Sequence, residues 1–183
     1  MRLFAGVTDG LCGELNRVFG DSGDPIALVT LYEKLRIKTE TSERSLIYHA
    51  CPNEEHKPWY DSVLYQVCQE DDDGVEQNTF FCAGRLMVFV KVETVSGESS
   101  MMALVHAYCC APPPPRGQPY CYDVNDPAAL ADRNILPLAR MKFAYWNNNK
   151  PLLELIDTET ISSALWVQED FDLKGHFWFI QKK

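Results

Sequence analysis

Between residues 61 and 68 apolar and polar positions alternate, with Val63, Tyr65 and Val67 on one side and Ser62 and Gln66 on the other. That period of two is the pattern of a half-buried β-strand, in which successive side chains point to opposite faces. Residues 70–77 have no period, carry the acids Glu70, Asp71, Asp72 and Asp73 and include Gly74, so they read as a turn. Residues 80–92 are apolar almost throughout. Phe80, Cys82, Leu86, Val88, Val90 and Val92 would share one face with Gly84, and Arg85 and Lys91 the other with Phe81, Ala83, Met87 and Phe89. A strand of about a dozen residues exceeds the usual five or six, so it is expected to bend, with Gly84 as its bulge or kink. The two strands make a central hairpin.

The rest of the chain arranges itself around that hairpin. Leu11, Leu15 and Val18 at helical spacing predict a short helix over 8–19, in a glycine-punctuated segment 1–25 that is either this helix or poorly ordered. From 26 to 183 the pattern is β-rich. Strands are expected over 26–38 and 45–50, with a loop at 51–58 between Pro52 and Pro58. A third runs over 101–110, placing Ala103, Val105 and Ala107 on one face and Leu104, His106 and Tyr108 on the other. The run Pro112, Pro113, Pro114, Pro115 must leave the sheet, since proline cannot donate to a ladder. It opens a long Pro-rich loop, 110–134, in which 127–131 reads as a helical turn. Residues 138–146 and 152–156 read as a hairpin, 157–160 as a turn or single helical turn, and 161–167 and 176–180 as the last strands. Eight or nine strands with few short helices predict a mainly β single domain, a strongly bent antiparallel sheet or partly open small barrel.

Length and charge narrow the function. A chain of 183 residues supports one proper core. No apolar run approaches the roughly 20 residues that span a bilayer, so no membrane role is expected, and the opening MRLFAGVTDGLCGEL does not read as a signal peptide. Seven cysteines, an odd number in a chain that needs no staples, point to a reduced intracellular compartment, the nucleus included. The net charge is −9, with 17 basic residues scattered among 26 acidic ones. Tight binding of generic duplex DNA is therefore not expected, because few phosphates could be neutralised.

A set of short motifs carries a family resemblance. Lys57-Pro58-Trp59-Tyr60-Asp61 precedes Val63-Leu64, and Cys82-Ala83-Gly84-Arg85-Leu86 leads the long apolar strand. Ala103-Leu104-Val105 follows on the paired strand. The chain closes on Leu155-Ile156-Asp157-Thr158-Glu159-Thr160-Ile161-Ser162-Ser163-Ala164 and Phe177-Trp178-Phe179. Over roughly 30–180 this resembles the C-terminal β-rich region of eukaryotic transposases of the Plavaka and Kyakuja–Dileera–Zisupton kind, an arrangement that recurs in BAH-like chromatin modules. The resemblance implies an accessory module, a fragment or a stand-alone relative without the nuclease, since no pattern for the RNase-H-like catalytic domain is found here and no catalytic residue carries over.

Four constellations could carry chemistry. His106, Cys109, Cys110 and Cys121, with Cys51 and His56 outside, are the nearest approach to a zinc set. Adjacent Cys109 and Cys110 point to opposite faces of a strand and no second spaced pair exists, so no metal and no cofactor are expected. The acids 70–73 lack the alternation of a calcium loop and suit a solvated hairpin tip. Any of the seven cysteines and four histidines could pair in space, but nothing local activates a cysteine, so the chain does not read as an enzyme. The aromatics Trp59, Tyr60, Trp146 and Trp166, with Trp178, could line a cage for a cationic side chain, against the plainer reading of core packing. The expectation is a non-catalytic interaction module for a protein partner or a basic peptide such as a histone tail. The alternative is a small β-barrel that binds nucleic acid.

Overall fold

β6 (Glu76–Thr94) runs for 19 residues and gives every other part of the sheet its place. The structure is a computed structural model that describes residues 5–38, 45–51, 59–70, 76–110, 139–145, 150–169 and 176–181. One edge of β6 pairs first with β5 (Ser62–Glu70) and then, end to end, with β1 (Ile26–Tyr32). Its other edge pairs with β7 (Ser99–Cys110) through a turn at Gly97, whose φ of 94° suits glycine. The remaining strands of this sheet are β8 (Ala139–Phe143), β9 (Leu153–Asp157), β10 (Ile161–Glu169) and β11 (His176–Gln181).

The neighbour order is β1-β6-β5-β10-β11-β8-β7-β9, all antiparallel, and β7 also pairs with β6. The pairings β6-β5-β10-β11-β8-β7 thus return to their start, and β1 and β9 extend the strongly bent sheet at its two edges. A second sheet has the order β2-β3-β4, from β2 (Lys34–Ile37), β3 (Leu46–Cys51) and β4 (Trp59–Tyr60). The expected single strand over 26–38 is therefore two, broken at Glu33. Its first half joins the large sheet and its second the small one, where Ala50 N–H donates to the Glu33 carbonyl at 2.7 Å.

A bulge decides which side chains meet. Leu86 faces Val105 and Val88 faces Leu104, so Met87 is the extra residue on β6. Leu86 consequently packs with Tyr65, Phe89 and Val105 under the small sheet, together with Tyr48, Ala50 and Ile161. Val88, Val90 and Val92 turn the other way, onto Leu104, Leu155 and the helix α1 (Ala5–Phe19). The single apolar face expected for residues 80–92 is thus two half-faces. Gly84 is not the bulge. It pairs regularly with Val63 and Ala107, and a Cβ there would lie 3.1 Å from Val105 Cβ and 3.3 Å from the Tyr65 ring.

Helix α1 spends Gly10 and Gly13 inside a helix, each a cost of about 1 kcal/mol against Ala. Packing offsets that cost: Val7, Leu11 and Leu15 are all buried against the sheet. Segment 5–19 therefore shares a core with the strands. A second difference concerns β8 and β9, expected to pair as a hairpin. They lie end to end along the same edge of β7, joined to one another only by the Tyr145–Pro151 bridge and a Leu152 N–H to Ala144 carbonyl bond among the described residues. The 12 residues of β7 are long enough to carry both. After β9, Asp157 caps a single 3-10 turn (Thr158–Thr160) by accepting from Glu159 N–H at 2.8 Å.

Candidate functional site

Alternation on β6 and β7 sends Ala83, Arg85, His106 and Tyr108 to the concave side of the bent sheet. β8 and β11 bring Met141, Phe143 and Phe177 to the same place, and β10 adds Leu165 and Val167. Phe143 is the hub. Its ring stacks on His106 at 4.3 Å between centroids and on Tyr108 at 4.8 Å, and meets Phe177 edge-on at 5.1 Å. Tyr145, more than half exposed, closes on the edge of His106 at 5.3 Å.

The cluster already holds a cation. The Arg85 guanidinium carbon lies 4.5 Å from the Phe143 centroid and 5.4 Å from that of Phe177. Ring faces attract a cation at such distances. The polar atoms nearby are also engaged: Ser62 and Tyr108 share a hydrogen bond at 3.1 Å, and His106 Nε2 donates to the Ala144 carbonyl at 3.0 Å. Burial, and secondarily the Arg85 charge, hold His106 below its ordinary pKa, while the bond to Ala144 works in the opposite direction. Folded His106 therefore favours its neutral form more than a free histidine does.

That has a consequence for stability. Near and below the ordinary histidine value of about 6.5 the unfolded chain takes up a proton more readily than folded His106, so more protons bind to the unfolded state and stability falls as pH drops. Denaturant titrations at pH 7.5 and 5.5 should show the loss, at most about 1.4 kcal/mol per pH unit for one group. The slope should flatten in His106→Gln.

Comparison with family models, curated proteins and solved structures finds no match. The site is therefore read from its own groups. Among the described residues no three His, Cys, Asp or Glu side chains gather where a metal ion could sit. His106, the one described member of the expected zinc candidates, commits Nε2 to a backbone carbonyl and its ring to Phe143. The side chains of Cys51, Cys109 and Cys110, and all of His56 and Cys121, lie outside what is described, as does the acidic run beyond Glu70.

Cys82 is half-buried against the cluster under the small sheet, and burial with the nearby Glu154 charge pushes its thiol above the ordinary value. A thiol held protonated is a poor nucleophile. Glu154 accepts from the buried Tyr65 hydroxyl at 2.6 Å; burial first and this carboxylate second raise the Tyr65 pKa. His49 and Asp61 make a further carboxylate contact. Asp61 Oδ2 accepts from His49 N–H at 2.7 Å and lies 3.2 Å from its Nδ1, while the Asp61 carbonyl accepts from Leu86 N–H. This pair ties the small sheet to β6.

The sequence-named aromatics divide. Trp166 stands on the outer face of β10 and is 63% exposed. The β5–β10 ladder ends with Leu165 opposite Ser62, which leaves Trp166 one residue beyond it, toward the half-buried Tyr60 and Asp61. Of Trp59 only the backbone, in β4, is described; Trp146 lies outside the described residues, as does the Trp178 side chain. The inner cluster of His106, Tyr108, Phe143, Phe177 and Arg85 was not singled out from the sequence. The alternation of His106 and Tyr108 on one face was its visible trace.

Proposed function

We propose that this chain is a non-catalytic interaction domain that binds a basic protein segment, of the histone-tail kind, on its outer surface. The observation that carries the reading is Trp166, a large aromatic left 63% exposed one residue past the ladder in which Leu165 faces Ser62, on a chain of net charge −9. A Lys or Arg side chain gains from an exposed ring face, and an acidic surface speeds its encounter. The inner aromatic cluster supports the same assignment of roles, since Arg85 fills the place a ligand cation would take. Likeness to the accessory β-rich region of transposases, and to BAH-like modules, agrees with a role without chemistry and supplies a transposable-element origin as part of the proposal.

A titration at about 150 mM salt, near physiological screening, tests this. Histone-tail peptides should bind in the micromolar range and weaken at least fivefold in Trp166→Ala, with random-sequence duplex DNA at least tenfold weaker than the peptides. Tight duplex binding with a steep salt slope would replace this reading by the nucleic-acid one.

A further inference from the structure

Strand β9 is an edge of the large sheet, and its first residue, Leu153, lines a groove. The groove, of about 280 Å³, runs between β9 and helix α1, walled by Gly10, Gly13 and Glu14 on one side and Pro151 and Leu153 on the other. The two glycines have different parts. A Cβ on Gly10 would collide with the Leu153 side chain, so this glycine lets the helix come close. A Cβ on Gly13 would meet nothing within 4 Å, so this one leaves the space open.

One hydrogen bond shows which way β9 points. Leu155 N–H donates to Glu14 Oε2 at 3.3 Å, away from β7, where Leu155 faces Leu104. In an antiparallel strand the pattern alternates, so the N–H groups of Leu153 and Asp157 also point outward. The carboxylate oxygen stands where the carbonyl of a further strand would be, at a distance longer than the usual 2.9–3.0 Å.

We infer that this groove is a strand-addition site, in which an extended peptide pairs with β9, replaces Glu14 as the acceptor for Leu155, and lies against the glycine surface of α1. Main-chain bonds supply affinity in such sites and side-chain contacts supply selectivity. Charge defines the occupant at one end. Within the groove Glu14 is paired with Arg17 at 2.8 Å and Lys150 stands with Asp9, whereas Asp157 and Glu159 follow at the far end of β9. An extended segment carrying Lys or Arg toward the Asp157 end fits this arrangement. The site is separate from Trp166, and its test does not depend on that residue.

The probe is a labelled peptide of alternating Lys and Val, compared with a version of equal charge whose valines are replaced by proline, which cannot pair as a strand. The Lys–Val peptide should bind at least tenfold tighter than the proline version and shift the amide resonances of Leu153, Leu155 and Asp157. Gly13→Leu, which suits a helix and fills the groove, should weaken the Lys–Val peptide at least tenfold without lowering the melting temperature, and Trp166→Ala should leave that affinity unchanged. Equal binding of the two peptides would overturn the inference. So would full binding to Gly13→Leu, or a loss confined to Trp166→Ala.

Discussion

Val88→Asp should abolish the cooperative fold. Val88 is fully buried on the half-face of β6 that packs against Leu104, Leu155 and helix α1. The described side chains of that cluster are all apolar, so a carboxylate there would have no partner. Burying an unpaired charge costs several kcal/mol even after relaxation, against a total stability of about 5–15 kcal/mol for a typical domain. Val88→Ala supplies the scale: losing two methyl groups should cost about 2 kcal/mol. Circular dichroism melts of both variants check this. A normal transition in Val88→Asp would mean that Val88 faces water and not the helix α1 cluster.

Phe143→Ala should be the most damaging truncation in the inner cluster. It removes at once the stacking partner of His106 and Tyr108, the edge contact of Phe177 and the ring beneath Arg85. Truncating a phenylalanine in a core costs about 3–5 kcal/mol, and the lower figure applies because this ring is only half-buried. At about 2–4 °C per kcal/mol for a chain of this size, the midpoint should fall by roughly 6–12 °C. Phe143→Leu, which keeps most of the apolar volume, should recover about half of the loss. Equal melting of wild type and Phe143→Ala would show that β8 does not hold the bent sheet together.

Much of the β-structure was legible because its signal is local. The alternation through Val63, Tyr65 and Val67 gives β5, and its pairing with β6 follows from one intervening turn. Leu11, Leu15 and Val18 mark the buried side of α1 despite its glycines. What the pattern misplaced depends on partners distant in the chain. Nothing near Met87 marks it as a bulge; the shift is visible only in the register against β7, and it reverses the facing of Val88, Val90 and Val92. Glu33 reads as one polar residue in a strand, yet it is where the chain leaves one sheet for another. β8 and β9 read as a hairpin because they are neighbours in sequence, whereas each finds its ladder on β7, about 30 to 50 residues earlier.

The same reason separates the expected aromatic site from the inner cluster. Tryptophans are conspicuous in a sequence, and Trp166 does stand exposed on β10. His106, Tyr108, Phe143 and Phe177 are ordinary strand residues one at a time. They become a cation-holding cluster only when β7, β8 and β11 curve around Arg85, a residue whose charge alone would place it at the surface.

That Arg85 is the cation of this cluster, leaving partner recognition to the outer surface, is the claim on which the functional reading turns. A double-mutant cycle on Arg85→Met and Phe143→Leu, read by denaturant unfolding, tests it directly. Methionine keeps the aliphatic stem and removes the charge. A favourable coupling of about 0.5–2 kcal/mol is expected for a partly desolvated guanidinium over a ring. A coupling within error of zero, with histone-tail affinity rising in Arg85→Met, would contradict the claim and make the inner cluster a ligand cage.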